Sequence, residues 1–263
     1  MAKEVDKDYK KRFMKGFNML CYSRSRYKVW SDIMLLFATS IANSVKLEQE
    51  EFKKVWQERE QLYLETIKQY SKKEQKVICQ MFEMIFMELE QNPCQDLLGQ
   101  LYMNLEISNS NTGQFFTPYD LCFMMAKVTY DRKSLGKIVH EQGYASICDC
   151  ACGAGATLIA ASEQCKEYFK KYNYQNHTFY VGQDIDITCV HMCYIQLSLH
   201  GLAGYVIHGN TLTKPMPKLP EELNTIWFTP IWFNDIWSMR RMFHNQNILG
   251  MERKQNGETK NKK

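Results

Sequence analysis

The first hundred residues have the hydrophobic spacing of helices and no pattern typical of strands. Between Ser31 and Asn92, apolar residues recur three or four positions apart in several segments, and Pro93 ends the last of them. A further helix is predicted from Asp96 to Leu105. We therefore expect an all-helical N-terminal domain over residues 1–108.

A polar segment, Asn109–Gly113 (NSNTG), separates this region from the next predicted helix. Thr117 has the residue type of an N-cap and is followed by Pro118 and Asp120, which favour the first turn of a helix. Four larger apolar residues then recur at helical spacing and are predicted to point into the core: Leu121, Met124, Met125 and Val128.

After residue 144, short apolar runs alternate with helical segments. Helices are predicted at Ala156–Gln164 and Ile187–His200. Strands are predicted at Ser146–Cys150, Phe179–Gln183, Tyr205–His208 and Thr225–Phe228. This alternation is typical of a parallel sheet with helices on its faces, so we expect an α/β domain over residues 109–250. The polar tail, residues 251–263, is predicted to be disordered.

Composition is that of a globular protein, because 45% of the 263 residues are hydrophobic and 24% are charged. The net charge of +4 permits an anionic partner without requiring one. The first thirty residues contain nine basic and three acidic side chains. This excess forms either a solvated helix face or an arm that contacts phosphate groups.

Ten cysteines raise the possibility of disulfides or of a metal site. The charged start of the chain does not resemble a secretion signal, so we expect reduced thiols and a cytoplasmic location. Cys148, Cys150 and Cys152 alternate without the usual zinc spacing, and no metal is expected. No apolar run is long enough for a membrane span.

Residues suited to binding a nucleoside follow the first three predicted strands. Asp149 precedes a turn that contains two glycines, and it could face a cationic amino acid group. Asp184 can accept hydrogen bonds from ribose hydroxyls, and Asn210 can bond an adenine amino group. In an open parallel sheet, ligands bind beyond these carboxyl ends.

The turn itself does not favour a pyrophosphate ligand. It has neither the third glycine of a dinucleotide fingerprint nor the lysine of a phosphate-binding loop. A nucleoside without phosphates, S-adenosylmethionine, therefore fits the pattern. Taken singly, Asp149, Asp184 and Asn210 could each instead belong to an ordinary turn at the end of a strand, without a ligand.

Four segments resemble the N6-adenine DNA methyltransferases, in particular the modification subunit of type I restriction systems. Gly113–Pro118 reads GQFFTP, which is the signature that precedes the catalytic domain of that family. Asp149–Ala156 is similar to its DPACGSGG, Gly182–Asp186 to its GQE-I-N, and Gly209–Leu212 to its GDTL. The match runs in the family's order from Asp96 to Trp232.

The resemblance implies a Rossmann-like sheet that binds S-adenosylmethionine. Only about 31 residues follow Trp232, so we expect a truncated sheet of about four strands. The segment from Phe115 to Thr117 would lie over the methionine portion of the cofactor. The positions implied as cofactor-binding are Phe115, Phe116, Thr117, Asp149, Cys152, Gly153, Gly155, Asp184 and Asn210.

The family's catalytic motif, NPP followed by Phe or Tyr, corresponds here to Thr229–Trp232 (TPIW). In that motif, the Asn oxygen and a proline carbonyl accept the adenine N6 hydrogens while the aromatic ring stacks on the flipped base. Thr229, Pro230 and Trp232 are the implied catalytic residues. A threonine hydroxyl is shorter than the amide, and losing such a contact lowers a rate by about 10²–10³-fold.

Two further hypotheses remain beside a DNA adenine N6-methyltransferase. One is a catalytically degenerate member that binds DNA or a partner protein, and the other is a methyltransferase that acts on RNA or on a protein amide. About 31 residues follow Trp232, so we expect sequence recognition to need a specificity or target-recognition subunit. Arg240 and Arg241 either contact phosphate or end a solvated helix.

Overall fold

The computed structural model describes residues 8–45, 50–105, 116–170, 173–215 and 223–242. The predicted polar break at Asn109–Gly113, the aromatic residue Phe115 and the predicted tail at residues 251–263 lie outside this range.

The described residues of the N-terminal part contain five helices. They are α1 (Tyr9–Leu20), α2 (Arg26–Ala42), α3 (Glu50–Ile67), α4 (Lys72–Gln91) and α5 (Leu97–Asn104). Several of these helices begin with an N-cap side chain that accepts a backbone amide of the first turn. Ser71 and Glu74 form a reciprocal capping box on α4, and Asp96 accepts the amide of Gly99 at the start of α5.

Trp30 of α2 is at the centre of the helical part. Its ring is fully buried and meets the rings of Phe13, Phe17 and Tyr102 edge-on, with centroids 5.8–6.1 Å apart. Edge-to-face contacts of this kind add to the burial of large rings, so α1, α2 and α5 are held around one residue.

The second part alternates helices and strands. It contains α6 (Tyr119–Thr129), α7 (Arg132–Gln142), β1 (Ala145–Asp149), α8 (Ala156–Tyr168), β2 (Thr178–Asp184), α9 (Ile187–Leu199), β3 (Gly204–His208) and β4 (Ile226–Phe228). Residues 235–242 are also helical. No strand precedes Ala145 among the residues described. The predicted α/β class with a helical N-terminal part is therefore confirmed.

The four strands form one sheet in the order β1-β2-β3-β4. β1, β2 and β3 are parallel, with Asp149 opposite Gly182 and Asp184 opposite His208. The carboxyl ends of the first three strands therefore reach the same edge of the sheet, as predicted.

β4 corrects the prediction of a fully parallel sheet. It runs antiparallel to β3, with Phe228 opposite Tyr205 and Ile226 opposite Ile207. A parallel connection needs a crossover, usually a helix, and the prolines between β3 and β4 do not favour one. The carboxyl end of β4 consequently lies beside the amino end of β3.

The predicted inward face of α6 is also wrong. Met124 is 57% exposed and Val128 is 84% exposed, and Leu121 and Met125 are exposed as well. Cys122 and Ala126 are the buried residues of α6, and they pack on α8. Only small side chains fit where α6 and α8 pack closely together, so the larger apolar side chains of α6 lie on its exposed side.

The start of α6 differs from the prediction too. The helix begins at Tyr119 with Pro118 at the N-cap, and no side chain caps it. Thr117 is therefore one position too early to serve as the cap.

The helical part and the sheet share a hydrophobic core. α2 and α5 both pack against α9, and the amide of Leu98 donates to the side-chain oxygen of Gln196 at 3.1 Å. The proposed domain boundary at residue 108 lies outside the described residues and stays a prediction. None of the described helices combines the length and hydropathy needed to cross a bilayer.

Thr229 provides a test of the antiparallel strand. Its hydroxyl accepts the amide of Gly204 at 3.0 Å, and its own amide donates to the Gly204 carbonyl at 3.0 Å. Thr229→Val removes the acceptor and leaves a buried N–H unpaired, so urea unfolding should show a loss of about 1–3 kcal/mol. Thr129→Val, at an exposed position, should change stability by less than about 0.5 kcal/mol. Equal effects would contradict the pairing.

Candidate functional site

The turn after β1 is held by the carboxylate of Asp149. One oxygen accepts the amide of Ala151 at 3.0 Å, and the other accepts the hydroxyl of Thr157 in the first turn of α8. Gly153 and Gly155 have φ angles of +53° and +97°, which residues with a Cβ rarely adopt. The two glycines are therefore required by the shape of the turn.

Asp184, at the end of β2, joins its own loop to this turn. One carboxylate oxygen accepts the amide of Gly153 at 2.8 Å, and the other accepts the amide of Asp186 at 2.9 Å. The amide of Cys152 also donates to the carbonyl of Gln183 at 3.0 Å. The ends of β1 and β2 are thus connected by direct hydrogen bonds.

The loop after β3 joins the same cluster. The amide of Gly209 donates to the carbonyl of Asp184 at 2.9 Å, and the hydroxyl of Thr211 donates to the carbonyl of Cys150 at 2.6 Å. Asn210 accepts the amide of Leu212 through its side-chain oxygen at 2.9 Å. Its side-chain nitrogen donates to no acceptor among the described residues, so Asn210 is better placed to donate to a ligand than to accept.

Phe116 covers the glycine turn. A Cβ added to Gly153 would lie 3.0 Å from the Phe116 ring, and that ring also packs on Tyr102 with centroids 5.3 Å apart. Phe116 therefore lies between α5 and the turn. Thr117 follows it as an exposed residue, and Phe115 lies outside the described residues.

Cys152 is buried behind the turn. A Cβ on Gly182 would lie 3.0 Å from its sulfur, and a hydrogen bond with Cys193 together with burial raises the pKa of the Cys152 thiol. Its side chain therefore packs between the turn and the sheet. All ten cysteines are free, and no group of described histidine, cysteine and acidic residues is placed to hold a metal ion.

The structure does not bring the predicted catalytic residues to this edge of the sheet. Thr229 follows the antiparallel β4, is fully buried, and is bonded to Gly204 at the opposite end of β3. The ring of Trp232 stacks on Phe228 with centroids 5.3 Å apart, and the guanidinium of Arg241 lies 4.0 Å from its centre. In this arrangement neither Thr229 nor Trp232 is free to bind a base.

Arg240 and Arg241 were predicted either to contact phosphate or to end a solvated helix, and the structure shows them bonded to carbonyl groups of the fold instead. Arg240 donates to the carbonyl of Gly143, and Arg241 donates to the carbonyl of Trp232 at 2.5 Å. Burial lowers the pKa of both guanidinium groups. Both arginines therefore fasten the C-terminal helical segment to the rest of the fold.

Sequence reasoning missed Gln196 of α9, which is fully buried. Its side-chain nitrogen donates to Asp96 at 2.8 Å and to the carbonyl of Ala154 at 2.7 Å, so it links the start of α5 to the glycine turn. The available signal was an amide side chain between the apolar residues Ile195 and Leu197 of a mainly apolar helix. Ile185 and Leu212, which are close in sequence to Asp184 and Asn210, are 66% and 93% exposed.

Comparison with known families places the chain in a family. A family model described as N-6 DNA Methylase matches residues 94–262, which is more than half of the chain. The chain belongs to the N-6 DNA methylase family. The matched region includes α5, the glycine turn, and the ends of β2, β3 and β4.

Two solved structures are similar to this N-6 DNA methylase family member. One is described as a class I S-adenosylmethionine-dependent methyltransferase of Listeria monocytogenes, with 17% identity, a TM-score of 0.43, and coverage of 81% of this chain and 55% of that one. The other is a type I restriction-modification methyltransferase subunit of Streptococcus thermophilus, with 20% identity, a TM-score of 0.38, and coverage of 66% and 35%. The chain thus spans about half or less of their lengths. No curated protein matches the chain.

Gly153 provides a test of the turn. Gly153→Ala forces a side chain into a left-handed conformation and against Phe116, so we expect a loss of about 1–2 kcal/mol in urea unfolding. Gly136→Ala in α7 is the matched control, because no atom lies within 4 Å of the added Cβ. This control should gain about 0.5–1 kcal/mol. A neutral Gly153→Ala would contradict the described turn.

Proposed function

We propose that the chain binds S-adenosylmethionine at the carboxyl edge of β1, β2 and β3, and serves methyl transfer to adenine N6 in DNA. The observation that carries this proposal is the hydrogen-bonded convergence of three strand-end loops around Asp184. When bound, S-adenosylmethionine supplies a methyl group on a positively charged sulfur.

The carboxylate of Asp184 fits a ribose. Each of its oxygens accepts one backbone amide, and a carboxylate offers about four acceptor positions in all. Two positions therefore remain for the two ribose hydroxyls. The amides also fix the direction of the carboxylate, so little ordering is needed when the ligand binds.

The glycine turn fits a ligand that comes close to the backbone. The Phe116 ring packs over Gly153 and the Cys193 sulfur packs against Gly155, so a ligand would approach the exposed backbone of the turn beside Phe116, which can close the site. Asp149 would orient the amino acid end of the cofactor through its charge. Asn210 would contact the adenine, while Ile185 and Leu212 offer apolar surface beside it.

A second candidate function is favoured by the position of Thr229. The module would bind the cofactor, and DNA or a partner, without transferring a methyl group. Support comes from the hydroxyl of Thr229, which is committed to Gly204, and from the ring of Trp232, which is covered by Phe228 and Arg241. Catalysis at Thr229, Pro230 and Trp232 would require β4 to leave β3.

The partners belong to the same proposal. DNA is the substrate that the family name indicates, and a specificity subunit of a restriction-modification system would supply sequence recognition. The cytoplasmic location predicted from the sequence stays part of this proposal. RNA or a protein amide as methyl acceptor is the remaining alternative.

Calorimetric titration with S-adenosylmethionine tests cofactor binding. We expect saturable binding to the wild type and an affinity at least about tenfold lower for Asp184→Asn, because the ribose then loses a charged acceptor. Asp235→Asn, at an exposed position outside the site, should bind like the wild type. Thermal unfolding of each variant shows whether a loss of binding is a loss of fold. A wild type that does not bind would refute the proposal.

The same protein with radiolabelled S-adenosylmethionine separates the two candidates. Label recovered as N6-methyladenine in unmethylated DNA supports the methyltransferase. Cofactor binding without transfer to DNA supports the non-catalytic module, and transfer to RNA instead would identify the other substrate class.

A further inference from the structure

A cleft of about 330 Å³ lies between α3 and the outer edge of β4. It shares no residue with the proposed cofactor site. Its walls are mainly apolar and include four aromatic side chains: Phe52, Trp56, Phe228 and Phe233. A volume near 300 Å³ is at the lower end of the range for small-molecule sites.

Arg59 lines this cleft and is fixed in place. Its guanidinium lies 3.9 Å from the ring centre of Trp227, and one terminal nitrogen donates to the carbonyls of Ile226 at 2.7 Å and Asn224 at 3.4 Å. Burial lowers the pKa of Arg59 to about 10, so the group remains positively charged at neutral pH. A fixed positive charge therefore borders an apolar space.

No carboxylate lies within ion-pair distance of Arg59 in the described parts of the chain. Glu58, its neighbour on α3, is half exposed and lies 4.0 Å from Lys54. Lys53, which also lines the cleft, pairs with Glu50 at 2.7 Å. A guanidinium withdrawn from solvent is normally paired with an acid, and the half-buried Arg59 contacts only carbonyl groups and a ring in the described residues.

The remaining donors of Arg59 are uncommitted. Its Nε and its other terminal nitrogen donate to no acceptor among the described residues. Behind Trp227, both ring nitrogens of His191 are buried without a partner, and burial together with Arg59 lowers the pKa of His191 to about 3. His191 is therefore neutral. Of the two cations that line the cleft, Lys53 is paired with Glu50, and Arg59 has no acid within ion-pair distance among the described residues.

We propose that this cleft binds a small carboxylate with an aromatic or branched aliphatic body. The carboxylate would accept the free donors of Arg59, and the apolar body would lie among the aromatic walls. Charge complementarity favours an acid over a neutral molecule of the same shape, because the half-buried guanidinium lies against an aromatic ring, where an ion pair is screened less than in open water. The site is independent of the proposed methyltransferase function.

Titration of the full chain with 4-phenylbutyrate and with the neutral 4-phenylbutan-1-ol tests the proposal. We expect saturable 1:1 binding of the acid, with a Kd below about 1 mM and an affinity at least about tenfold higher than that of the alcohol. Arg59→Met should remove this preference. Lys54→Gln is the matched control, since it removes one positive charge from the same helix outside the cleft, and it should keep the preference.

A second variant, Val55→Phe, tests binding in the cleft even if Arg59→Met does not fold. Val55 lines the cleft, and a larger side chain there should abolish binding while the circular dichroism spectrum stays unchanged. Equal affinity for acid and alcohol, binding that survives both variants, or competition by S-adenosylmethionine would overturn the proposal. Failure of cofactor binding would leave it unaffected, because neither variant touches the glycine turn.

Discussion

The carboxylate of Asp184 is the constraint on which the proposed site depends. It accepts the amide of Gly153 from the neighbouring strand's turn and the amide of Asp186 from its own loop. Hydrogen bonds to a charged acceptor are stronger than neutral ones. This one group therefore links the turn after β1 to the loop after β2, and Thr211 extends the link to the loop after β3. The arrangement exists because β1, β2 and β3 are parallel and in register.

Because β4 is antiparallel, the residues that follow it lie at the opposite edge of the sheet from the residues that follow β1, β2 and β3. The proposed cofactor residues lie at the carboxyl edge of the parallel strands, whereas Thr229 is paired with Gly204 at the other edge. An aromatic cluster that includes Phe228, Trp232 and Trp237 stabilises this second end. In this member of the N-6 DNA methylase family, the tetrapeptide predicted to be catalytic, Thr229–Trp232, therefore makes structural contacts.

Much of the fold follows from local sequence patterns, and the rest depends on tertiary contacts. The alternation of β1, β2 and β3 with helices was predictable because buried strands and helices have different lengths and periods. The direction of β4 was not, because three apolar residues fit either orientation and pairing is decided by the partner strand. Both faces of α6 carry apolar residues, so spacing could not reveal that Cys122 and Ala126 form the contact with α8. Asp184 was predictable from its place at a strand end, whereas the role of Gln196 depends on α5, which lies far away in sequence.

The most direct measurement of the central claim is the set of backbone amide NMR shifts that S-adenosylhomocysteine changes. The account predicts the largest changes in the loops after β1, β2 and β3, centred on Gly153, Asp184 and Asn210. It also predicts unchanged amides at Thr229 and Trp232, since these lie at the far end of β3. Changes concentrated at Thr229 and Trp232, or an unchanged amide at Gly153 under saturating ligand, would contradict the account.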